Sequence, residues 1–245
     1  MTDPAAIIAT TACPRCGREL AERAYRFAGM NIRRVDRCEC EPERDPFSMA
    51  EMKAIEAQAL ARMIADVRKR CTTQIAEVYW MQGFDSYVVT PRNAKAVEAA
   101  KAFAALNGGP RLLHIWGTPG VGKTRLAYAV GTEVLRAGNV VGFVNSSSLA
   151  TARKDADFWA WLLRDPRVVI LDDLGKEIIG GFCREDFTSA LYELTNAIYT
   201  ASDRGLVQTT ELDLNRIMDR YQSDALRWRW NKLSAGGAPI KITKE

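Results

Sequence analysis

The chain has 245 residues, 47% hydrophobic and 26% charged, with a formal net charge of +4. No apolar run approaches the ~20 residues of a helical membrane span, so a membrane partner is not expected. The first 85 residues are charge-balanced, and the basic excess lies beyond them, which permits nucleic-acid binding without arguing for it.

The N-terminus, MTDPAAIIATTAC, has no positive flank before a long apolar core, so no secretory signal is expected. Six cysteines without such a signal point to a reducing cytoplasm, where clustered thiols bind metal more often than they pair. Four of them form two close pairs, Cys13-Pro-Arg-Cys16-Gly17 and Cys38-Glu-Cys40. Gly17 permits the tight turn that aims two sulfurs at one point, and two such pairs suit a structural Zn²⁺ site. A segment this short buries little core, so metal would supply its folding energy. Cys71 and Cys183 are expected as small buried hydrophobes.

Ser48-Met-Ala-Glu51 is a capping box, and Met52, Ile55, Leu60, Met63, Ile64 and Val67 follow at helical spacing. The periodicity predicts a linker helix that could run to about Trp80, packed on a neighbour or offered to a partner. The helix breaks around Gly83, and a second is predicted from Asn93 to Leu106.

An apolar run, Arg111–Trp116, then leads into Gly117-Thr118-Pro119-Gly120-Val121-Gly122-Lys123-Thr124. Strand, G-x-x-x-x-G-K-[ST] loop and helix make a P-loop setting for ATP. Its glycines turn backbone N–H groups toward phosphate oxygens, and the following helix adds the positive end of its dipole. Lys123 is expected to reach the β- and γ-phosphates, and Thr124 to hold Mg²⁺. His114, in the entering strand, is expected in the core. A second strand is predicted at Val140–Asn145. Trp159 and Trp161 could either pack or stack on bases. Arg167–Gly175, RVVILDDLG, reads as a strand from the middle of a parallel sheet. Asp172 at its end is placed to hold Mg²⁺, and Asp173 to polarise the attacking water. A long helix at Arg184–Tyr199 and strands at Arg204–Thr210 and Ala238–Ile242 complete a five-stranded, doubly wound α/β domain. Its ligand belongs at the carboxyl ends of the strands.

GTPGVGKTRLAYAV, VVILDDLG, a strand ending QTTELDL, and RIMDRYQSDALRWRW stand in the order found in DnaC-like AAA+ ATPases, which this chain resembles over roughly Gly83–Ile242. That family contains the bacterial and phage replicative helicase loaders, and its core is similar to that of IstB-type transposition helpers. The resemblance implies an AAA+ core with a five-stranded parallel sheet at 83–245, lacking a C-terminal lid. A zinc-binding module at 1–47 and a linker helix at 48–82 precede it. It implies a cytoplasmic ATPase that self-associates through this domain and binds a hexameric replicative helicase and single-stranded DNA. The alternatives are an IstB-type helper or a nucleotide-gated adaptor with little turnover. By resemblance Thr210 ends the sensor strand, and Arg229, with Arg227 beside it, reaches a neighbouring subunit's nucleotide. Glu211, at the sensor strand's end, departs from the family pattern, because a carboxylate there would repel a γ-phosphate.

Overall fold

The computed structural model describes residues 7–13, 15–27, 30–36, 38–40, 49–70, 83–105, 108–177, 183–234 and 239–243. They divide into two compact units, Met1–Met63 and Ile64–Glu245.

The first unit contains three antiparallel strands in the order β1-β2-β3: Ile7–Ala12, Glu19–Phe27 and Met30–Val35. The side chains of β1 that are described are all exposed. The unit also holds the start of α1 (Met49–Arg70), and the division between the units falls inside that helix. The expected extension of α1 to Trp80, its cap Ser48 and Cys71 lie outside the described residues.

The second unit is built on a five-stranded sheet in the order β5-β6-β7-β4-β8. Its strands are β4 (Leu112–Gly117), β5 (Val141–Asn145), β6 (Val168–Leu174), β7 (Gly205–Thr210) and β8 (Ile240–Ile242). Every pairing among them is parallel. A parallel sheet is covered on both faces, so its central strands read as continuous apolar runs. Val168–Leu171 of β6 are accordingly at most 1% exposed.

Alternation along β6 sends its side chains to two helical layers. Ile170 faces α3 (Lys123–Arg136), where a side chain at Gly131 would collide with its Cδ1. Helix α2 (Ala94–Ala104) packs beside α3. Val169 and Leu171 belong to the opposite core, with Leu162 of α5 (Ala156–Arg164), Leu191 and Leu194 of α6 (Cys183–Thr200), and Trp230 of α8 (Asp224–Leu233). A short helix, α4 (Leu149–Ala152), packs against α6, and α7 (Leu214–Tyr221) follows β7.

Two arginines close helix ends, where carbonyls lack intrahelical partners and the dipole is negative. Arg111 donates to the carbonyls of Ile198, Tyr199 and Ala201 at the end of α6. Arg204, buried, donates to those of Leu162, Leu163 and Pro166 at the end of α5. Trp159 and Trp161 are both buried, and the Trp159 indole donates to Glu193, so both are packing residues here. The side chain of Cys183 lies outside the described residues. Among the described residues no helix is long and apolar enough to cross a membrane.

Candidate nucleotide site and cysteine cluster

The P-loop leaves the carboxyl end of β4, a central strand of the sheet. Gly117 has φ +152°, and a Cβ there would lie 2.1 Å from the Ile242 carbonyl oxygen, so only glycine lets β8 approach. Gly122, the N-cap of α3, sits in the left-handed region at φ +92°. Thr118, Pro119, Gly120 and Val121 form the exposed-to-intermediate rim between them. Lys123 is buried, and its ammonium donates to the carbonyls of Gly117 and Thr118 at 2.9 and 3.0 Å, inside the loop. Burial lowers its pKa, because the charged form has lost water.

The acidic strand meets the loop side chain to side chain. Thr124 Oγ1 donates to Asp172 Oδ1 at 3.0 Å. Asp172 is buried, and desolvation raises its carboxyl pKa against the hydroxyl hydrogen bonds that lower it. A second hydroxyl comes from β7: Thr209 Oγ1 donates to the same Asp172 oxygen at 2.5 Å and accepts from the Asp173 N–H at 2.9 Å. Hydroxyl and carboxylate oxygens are the donors that Mg²⁺ takes, so Thr124 and Asp172 fit that ion.

Asp173 lies within β6, as the reading of Arg167–Gly175 as a strand implies, but the strand has an irregularity between Leu171 and Leu174, and Asp173 adopts φ +57°. A bulge of this kind re-aims a side chain at a sheet's edge, and an aspartate tolerates the left-handed region better than most residues. Both sides of the Asp173 peptide are fixed. Its N–H is bound by Thr209, and its carbonyl accepts from Ser146 Oγ at 2.6 Å.

The polar contact between β7 and the acidic pair belongs to Thr209. Thr210, one residue later and on the other face, accepts from the Leu212 N–H at 3.1 Å and braces the turn after β7. Glu211 does not stand alone: Lys176 Nζ lies 3.2 Å from its carboxylate and 3.0 Å from that of Asp173. Next along the chain, the buried Glu177 accepts from Gly175 N, Tyr221 Oη and Arg220 Nε at 2.8, 2.5 and 3.3 Å. It ties the loop after β6 to α7. Neither Thr209, Lys176 nor Glu177 was singled out from the sequence.

Tyr87 was missed as well. It follows a short 3₁₀ turn at Phe84–Ser86, lies buried against Gly122, and carries the Arg125 guanidinium 5.8 Å above its ring. The two arginines named from the sequence stand elsewhere, on α8. Arg229 is half-buried, stacked 4.6 Å over Tyr192, and donates to Tyr192 Oη and Asn196 Oδ1 at 2.9 Å each. Arg227 is more open and pairs with Asp219 at 2.9 Å.

In the first unit the four cysteines converge, with all four Sγ atoms within 4.8 Å of one another. Cys13 and Cys16 sit on a knuckle between β1 and β2. It is closed by Cys13 N–H to the Arg18 carbonyl and Gly17 N–H to the Cys13 carbonyl, at 2.8 and 2.9 Å. Gly17 is left-handed there, at φ +72°. Cys38 and Cys40 arrive just after β3. Backbone N–H groups of Arg15 and Cys16 pull the Cys13 thiol down to about 6, whereas the neighbouring sulfurs, Cys38 first, push the Cys40 thiol up. Four mutually close sulfurs, two of them buried, fit tetrahedral Zn²⁺.

A P-loop after β4 and an acidic pair on β6, one strand away across β7, meet at the carboxyl edge of this parallel sheet in the arrangement of a P-loop ATPase. The chain belongs to the family of IstB-like ATP binding proteins, whose model matches residues 63–226, so the cysteine cluster lies ahead of the match. It is 28% identical over 172 residues to the chromosomal replication initiator protein DnaA of Streptococcus agalactiae, covering 65% of this chain and 35% of that protein. The chain thus spans about a third of the length of the curated relatives it matches. Among solved structures it is similar to the DnaC helicase loader, with TM-score 0.54 and 24% identity over 68% of this chain and 99% of that one. It is also similar to replication initiator DnaA bound to AMPPCP and single-stranded DNA, with TM-score 0.56 and 20% identity over 71% of this chain and 52% of that one. Both likenesses describe the fold.

Proposed function

We propose that this protein is an ATP-dependent loader of a replicative hexameric helicase. The observation that carries the reading is the pairing of two parts: an AAA+ core matching the DnaC helicase loader along nearly its whole length, and a convergent four-cysteine module ahead of it. In this reading residues 1–47 hold Zn²⁺ and grip the helicase, residues 48–82 link, and residues 83–245 bind ATP.

Within the core, Lys123 turns from the loop carbonyls to the β- and γ-phosphates. Thr124 and Asp172 hold Mg²⁺, which supplies charge neutralisation at the phosphates. Asp173, held in place by Thr209 and Ser146, accepts a hydrogen bond from the attacking water. Arg229, once released from Tyr192, or the more open Arg227, reaches a neighbouring copy's nucleotide, so that ATP governs self-association. Single-stranded DNA is the remaining partner. A second reading, an IstB-type transposition helper, draws on the family match itself. The cysteine module favours the loader, because it supplies a head for a protein partner.

Full-length wild-type protein and a Cys13→Ser/Cys16→Ser variant separate these parts. The wild type should carry about one equivalent of zinc, as a four-thiolate site does, and retain purified replicative helicase on an affinity column. The variant should lose both zinc and helicase yet bind ATP unchanged. A variant without zinc that still retains the helicase fully would refute the division of labour.

A further inference from the structure

Lys176 lies outside both nucleotide-binding motifs, in the loop after β6. Its ammonium bridges the Asp173 and Glu211 carboxylates at 3.0 and 3.2 Å, and it is 49% exposed. The Lys123 ammonium senses Glu211, Lys176, Asp173 and Asp172 electrostatically, so all five groups share one neighbourhood at the mouth of the P-loop. The neighbourhood holds three carboxylates and two lysines. One lysine is buried in the loop, which leaves Lys176 as the movable cation facing Asp173 and Glu211.

From this geometry we infer that Lys176 makes the site selective for nucleoside triphosphate over diphosphate. The inference rests on the reading that the P-loop binds ATP. Glu211 and Asp173 stand where a third phosphate would meet two negative charges. Lys176 cancels that repulsion, and a lysine is a compact charge on a flexible stem, so it can pass from carboxylate to phosphate oxygen by side-chain rotation alone. A diphosphate leaves Lys176 bridging the two acids. A triphosphate draws it to the terminal phosphate and frees the Asp173 carboxylate to accept the hydrogen bond of water. Glu211 is then the resting partner of Lys176, and its departure from the family pattern is matched by the lysine opposite it.

The test is equilibrium binding of ADP and of the β,γ-methylene analogue of ATP, with Mg²⁺, to full-length protein. Lys176→Met should weaken the triphosphate analogue about tenfold or more, the scale of one lost charge-assisted hydrogen bond, while ADP weakens less than about threefold. Lys176→Arg should keep most of the preference. Lys176→Met/Glu211→Gln should regain part of the lost triphosphate affinity, because part of the loss is an uncompensated carboxylate. Equal weakening of both nucleotides by Lys176→Met, or none, overturns the assignment. So does a double variant no better than the single one. A wild type that binds neither nucleotide overturns the P-loop reading itself and this inference with it.

Discussion

His114 uses both ring nitrogens inside the sheet. Gln208 Nε2 donates to its Nδ1 at 2.7 Å, and Nε2 faces the Leu212 carbonyl at 3.1 Å, which fixes the neutral tautomer with the proton on Nε2. Burial pushes its pKa from 6.5 down to about 4. The unfolded chain therefore takes up a proton near pH 6.5 that the folded chain refuses until about pH 4. Above pH 6.5 the residue is neutral in both states and its contribution is level. As pH falls toward 4, stability is lost progressively, by about 3 kcal/mol in all. Urea unfolding at several pH values should show the wild type losing about 2–3 kcal/mol more than His114→Gln between pH 7 and 4.5. Parallel pH profiles for the two proteins would remove this role.

At this scale the local motif was legible and the cross-strand partners were not. Gly117 to Thr124 and Asp172 declare themselves because their chemistry needs a fixed short spacing. Thr209 was hidden behind Thr210, because which of two adjacent threonines faces Asp172 depends on the β6–β7 register. That register shifts between Leu171 and Leu174. Glu211 was noticed as a mismatch, but its counter-charge comes from another element 35 positions earlier in the chain.

Among elements, the five core strands were readable because a buried parallel sheet demands apolar runs, and only their ends moved by a residue or two. The strands β1 to β3 were not read. Their order comes from backbone pairing and the cysteine knuckle rather than from an apolar pattern. Helix ends depend on backbone geometry as well. Helix α7 stops at Gln222, an exposed residue in the left-handed region at φ +47°, whose N–H bonds the Met218 carbonyl. A left-handed L-residue costs about 1–2 kcal/mol, and glycine returns part of that relief as extra freedom of the unfolded chain. Gln222→Gly should therefore raise unfolding free energy by about 0.5–1 kcal/mol without altering nucleotide affinity. A destabilised variant would show that the Gln222 side chain holds the end of α7 by contacts of its own.

At the scale of the whole molecule, the sequence anticipated a metal-binding front, a helix and an ATPase core. The division between the two compact units falls within α1, between Met63 and Ile64. The family match begins at residue 63 too, so both boundaries fall in that one helix. Residue spacing could not place this division, because a continuous helical periodicity crosses it.

The central claim is that Asp172 and Asp173, side by side on a bulged strand, do different work at one ATP site. Asp173→Asn tests it most directly, since asparagine accepts the same left-handed backbone and removes only the charge. ATP binding and single-turnover hydrolysis should be measured on the same protein samples, with Lys123→Ala as the non-binding control. The variant should bind ATP within about threefold of wild type and hydrolyse it at least about a hundredfold more slowly, the scale of a lost general base. Hydrolysis within a few-fold of wild type would contradict the assignment of Asp173.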